Sequence, residues 1–92
     1  MSKTSFESIA ELLADVIDCL DASQHVYWLQ NLITARNAIL RGEASGVDRF
    51  LSLDGPGMSL PALQLEDSAL QSRFDQMLSL AFKEARTLKE SS

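Results

Sequence analysis

Much that a catalytic or secreted domain relies on is scarce in this chain. There is a single cysteine, Cys19, so no internal disulfide can form and a reducing compartment, the cytoplasm, is expected. There is a single histidine, His25, and no Ser, Cys or carboxylate is spaced to make it a recognisable base. No apolar run approaches the roughly 18 residues that span a bilayer, so no membrane helix is expected. Met1-Ser2-Lys3-Thr4-Ser5 leads into a charged segment, so no signal peptide is expected either. Cations are few: 8 Lys and Arg stand against 13 Asp and Glu, a net charge of −5. That balance disfavours nucleic acid and anionic membranes as partners. The motifs call for no cofactor and no metal.

What is present is helical pattern. Ninety-two residues, 46% hydrophobic and 23% charged, suit one globular domain covering 1–92. Apolar residues recur at spacings of three and four, which predicts an all-α fold. Three long helices and one short helix are expected, packed as a small bundle with an ordered Gly/Pro loop before the last helix. The first helix starts at Thr4, where Thr4 and Glu7 fit a capping box, and buries Phe6, Ile9, Leu13, Val16, Ile17 and Leu20. Asp21-Ala22-Ser23 is the expected break, with Asp21, Ser23 and Gln24 supplying the next cap. The apolar arcs on either side of it differ in phase by about 140°, so two helices fold back on each other there.

The second helix runs to about Arg41 and buries Val26, Trp28, Leu29, Leu32, Ile33, Ile39 and Leu40; Gly42 ends it in a left-handed conformation. Ser45 and Asp48 are expected to cap a short helix carrying Val47, Phe50, Leu51 and Leu53. Asp54-Gly55-Pro56-Gly57-Met58 breaks the pattern, and Leu60, Leu63 and Leu65 should lie against the core. The last helix opens near Asp67 or Ser68 and buries Leu70, Phe74, Met77, Leu78, Ala81, Ala85 and Leu88.

Several residues stand out against that background. Glu7, Glu11, Asp15 and Asp18 share one ridge opposite the apolar face of the first helix. Such a ridge is either a solvated face or a docking surface for a basic partner, and like charges at this spacing repel. Arg36 falls within the apolar arc of the second helix, where a guanidinium must find acceptors. Asp54 or the carbonyls of the loop are the expected ones, making Arg36 a structural clamp; an anion or substrate ligand is the other reading. Tyr27 points to the polar side of its helix, a residue type frequent in protein interfaces, while Trp28 is expected in the core. Cys19 sits at the edge of the apolar face with Asp15, Asp18 and Asp21 around it and no Lys, Arg or His nearby in sequence, which disfavours its thiolate. Gly55-Pro56-Gly57 lacks the Lys-Ser or Lys-Thr and the preceding strand of a phosphate loop.

Trp28 with Leu32, the run Gly55-Pro56-Gly57-Met58-Ser59-Leu60-Pro61-Ala62-Leu63-Gln64-Leu65 and Arg73-Phe74-Asp75 resemble a family of small bacterial helical domains. That family pairs a Trp-x-x-x-Leu helix with a Gly-Gly-Met-Gly-Ser-Phe-Asn-Asp-Leu-x-Leu loop and a closing helix. Pro56, and Pro61-Ala62 in place of Asn-Asp, depart from the pattern, so any role of that pair is not carried over. In size, acidity and layout the chain also resembles small immunity proteins that neutralise bacterial toxins. The resemblance implies a non-enzymatic inhibitor that occludes a basic toxin cleft. Glu7, Glu11, Asp15, Asp18, Tyr27, Asp54 and Met58 would meet the partner, and Arg36, Trp28, Gly55 and Gly57 would hold the structure. The alternatives are a structural or adaptor domain acting through self-association, such as a homodimer, or a small ligand-binding protein or enzyme using Arg36 and His25.

Overall fold

In a computed structural model the described residues are 5–55 and 58–90, with the side chains of 55, 58 and 59 outside the description. The fold is all-α. Four helices follow one another: α1 (Ser5–Ala22), α2 (Val26–Leu40), α3 (Ala44–Leu51) and α4 (Ser68–Glu90). Extended structure among the described residues is limited to a two-residue antiparallel pair, Asp54–Gly55 against Met58–Ser59. The Leu60 N–H donates to the Leu53 carbonyl at 3.0 Å and closes the base of this hairpin. One turn of 3₁₀ helix, Leu60–Ala62, leads towards α4.

The helix ends follow local chemistry, though not always that expected. Thr4 lies outside the described residues, and the capping box with it. The end of α1 is a Schellman turn: the His25 N–H donates to the Leu20 carbonyl at 3.1 Å and the Gln24 N–H to Asp21 at 3.2 Å. Gln24 takes the left-handed conformation (φ 60°) that this turn demands. The expected cap by Asp21, Ser23 and Gln24 is therefore not formed; His25 precedes α2 and makes no side-chain cap bond. The same turn ends α2, with Glu43 donating to Ala38 and Gly42 to Ile39, and here Gly42 supplies φ 75°. Glu43, not Ser45, precedes α3, again without a side-chain cap. Helix α4 does open on a side-chain cap. Asp67 Oδ1 accepts the N–H groups of Ala69 (2.8 Å) and Leu70 (3.1 Å).

The described residues share one core. Ile9, Leu13, Val16 and Leu20 of α1 meet Leu32 and Ile39 of α2, Val47 and Phe50 of α3, and Phe74, Leu78 and Phe82 of α4. Phe50 and Phe82 stack at 4.4 Å between ring centroids. Leu60 and Leu65 of the connecting segment are buried and Leu63 is half-buried against the core, while Leu53, expected on the short helix, lies past its end and is buried too. Gln71 holds that segment: its Oε1 accepts from the Leu65 N–H, and its Nε2 donates to the Leu63 carbonyl at 3.3 Å.

Helix α2 is rotated from the expected orientation. Leu32, Ala35, Ala38 and Ile39 are its buried residues, while Val26, Ile33 and Leu40 are exposed. The cause is α3, which packs so close that a Cβ on Gly46 would lie 2.8 Å from Ala38 Cβ and 2.8 Å from the Ile39 nitrogen. Only small side chains fit at that crossing, so the helix turns its alanines there, and Val26, Ile33 and Leu40 face outward.

Candidate functional site

Helix α1 lies between α2 and α4. The Arg36 Nε donates to the Ala10 carbonyl at 2.8 Å on one side, and Ser8 Oγ donates to Glu84 at 2.7 Å on the other. The outward ridge between them carries Glu7, Glu11, Asp15 and Asp18. Glu7, Glu11 and Asp18 are exposed and Asp15 is half-buried. Asp15 is bound by Arg73 of α4 at 2.6 Å, and this hydrogen bond raises the Arg73 pKa further above its ordinary value. Helix α4 thus places the Arg73 guanidinium at the edge of the acidic ridge. Spacing within α1 alone held no sign of it, because the partner lies 58 positions away in sequence.

Asp54 belongs elsewhere. It binds Arg86 at 3.0 Å, and the Arg86 guanidinium lies 5.5 Å from the centre of the Phe82 ring. Arg73 and Arg86 are about 140° apart around α4 at 100° per residue, so the two bridges occupy different sides of that helix. Asp15 of the ridge and Asp54 of the loop thus engage different parts of α4. Arg36 clamps α2 to α1 rather than holding the loop, since its partner is the Ala10 carbonyl. Gly57 lies outside the described residues, as does the side chain of Met58, and Gly55 is described by its backbone alone. Tyr27 is exposed, with its ring edge-on to Trp28 at 5.3 Å. Trp28 is partly buried against the core.

His25 lines a polar groove of about 500 Å³ with Ser23, Gln24, Gln64, Glu66 and Asp67. Arg36 is not among the groove's residues, and eleven positions along α2 separate the two by about 16 Å. The structure does not bring His25 and Arg36 to one site. A second groove, of about 470 Å³, runs along α4 beside Asp54, Pro61, Asp75 and Arg86. No group of three or more His, Cys, Asp or Glu among the described residues is arranged to hold a metal ion. No helix among them is long and apolar enough to cross a membrane. Cys19 is buried in the core, and desolvation pushes its thiol pKa up; Arg73 opposes this, while Asp15 and Asp18 add to it.

The fold and these sites define a small all-helical domain with an acidic helix face. No protein-family model, curated protein or solved structure matches the chain.

Proposed function

We propose that the chain is a non-enzymatic protein-binding domain, and more narrowly a cytoplasmic immunity protein that covers the basic substrate cleft of a cognate toxin. The observation that carries this reading is the outward ridge of α1. Glu7, Glu11 and Asp18 are exposed along one side of a single helix, in a chain of net charge −5. Carboxylates fixed on a rigid helix steer a basic partner into register and raise its rate of encounter. The Arg73–Asp15 bridge pairs one carboxylate at the edge of this surface. Tyr27, on α2, lies outside this ridge and is not needed for the steering.

The test is binding to, and inhibition of, a toxin encoded beside this chain. The double reversal Glu11→Lys with Asp18→Lys should slow association about tenfold or more at low salt, with the difference shrinking as ionic strength rises. Unchanged association would remove α1 from the interface. A toxin neither bound nor inhibited by the wild-type chain would remove the immunity reading.

A further inference from the structure

We infer that the outward face of α2 is a homodimer interface, on which a second copy of this chain packs antiparallel about a twofold axis passing beside Ile33. Val26 (57% exposed), Ile33 (39%) and Leu40 (53%) stand seven residues apart and form one apolar seam along the helix. Tyr27 (59%) is exposed too, on the far side of Asn37, Gln30 and Thr34 from this seam. Between Val26 and Leu40 the only charged residue is Arg36, whose Nε is bonded inward to the Ala10 carbonyl. The rest of the outward face is Gln30, Thr34 and Asn37, and the half-buried Arg36 at its margin is the one charged side chain of the helix, so the surface is poor in charge.

That matters for the choice of occupant. Two copies of net charge −5 repel, and α1 meets its surroundings with carboxylates. The charge-poor face of α2 lets two copies touch without setting like charges against each other, and depletion of charge marks the centre of protein interfaces. The seam is also self-complementary. A twofold contact requires that if one residue meets a second, the second meets the first. Val26 and Leu40 are equidistant from Ile33, so antiparallel packing puts Ile33 on its own copy and Val26 on Leu40. The opposed helix dipoles favour that direction over the parallel one.

The face is about 22 Å long, and helices packed about 8–10 Å apart along it would bury only a few hundred Å² per copy. A standard interface buries about 800 Å² per partner, so the dimer should be weak, with a Kd of about 1–100 μM. Charge-swapped variants at the axis provide the test. Sedimentation equilibrium of the full chain between about 10 μM and 1 mM should show the mass rising from one chain to two. Ile33→Glu and Ile33→Lys should each stay monomeric, with helical circular dichroism unchanged because the position is exposed. An equimolar mixture of the two should dimerise again. A wild-type chain that stays monomeric at 1 mM overturns the inference. So do single variants that still dimerise, or folded variants whose mixture stays monomeric. If α2 resonances shift only when a different protein is added, the face belongs to that protein and the inference is wrong.

Discussion

Replacing Gly46 with alanine should destabilise the protein, although general helix energetics predict the opposite. Gly46 lies inside α3, and alanine in a helix interior is usually favoured over glycine by about 1 kcal/mol. Here the added Cβ would meet Ala38 Cβ at 2.8 Å, the Ile39 nitrogen at 2.8 Å and the Ala35 carbonyl oxygen at 3.0 Å. Two of the three are backbone atoms of α2 and cannot rotate away. Helices α2 and α3 would have to move apart by more than half an ångström to restore ordinary contact. Overpacking of this kind costs about 1–3 kcal/mol and overrides the propensity gain. For a domain of this size each kcal/mol lowers Tm by about 4–8 °C. Thermal and urea unfolding followed by circular dichroism should register the loss. Gly42→Ala provides a contrast: nothing lies within 4 Å of its Cβ, so any loss there reflects the left-handed backbone alone. A Gly46→Ala variant as stable as wild type, or more so, would show that α2 and α3 do not approach this closely. The account of why α2 turns Val26, Ile33 and Leu40 outward would then fail.

Two further predictions concern the α1 terminus and the buried thiol. Gln24→Gly should stabilise the protein by about 1 kcal/mol in urea unfolding, because Gln24 holds a left-handed conformation that costs a residue with a Cβ about that much; no gain would mean that the turn is not left-handed in solution. The Cys19 pKa is raised by burial, so the fold binds this proton more tightly than the unfolded chain does. The resulting stability is fully present below the unfolded thiol value near pH 8.5 and is lost as pH rises through the folded value. Unfolding free energy measured between about pH 7 and 10 should fall more steeply for wild type than for Cys19→Ala, and parallel slopes would refute the assignment.

Helices α1 and α4 were legible because each presents one main apolar stripe to one core. Ile9, Leu13, Val16 and Leu20 lie where a 3.6-residue period puts them, as do Phe74, Leu78, Ala81 and Ala85. Phe82, absent from that reading, is buried because it stacks on Phe50 of α3, a contact that depends on tertiary placement. The acidic ridge was legible as a ridge, but the pairing of Asp15 with Arg73 was not. Long side chains reaching across helices leave no local spacing to read. Asp54 was likewise assigned to a partner surface, although Arg86 engages it from α4.

Helix α2 is where hydrophobicity misleads, and the reason is instructive. Its sequence offers apolar residues around most of its circumference, while α1 and α3 cover only part of it. Which part is decided by steric fit: Ala35 and Ala38 face inward because α3 comes within contact of the backbone at Gly46. A reading that ranks residues by greasiness assigns Val26, Ile33 and Leu40 to the core and leaves the alanines unexplained. Size complementarity reverses that assignment, leaving more apolar surface on α2 than the fold covers. The heptad spacing and sparse charge of this surplus are what a second helix would need, so the error in the pattern reading and the case for self-association have one physical origin.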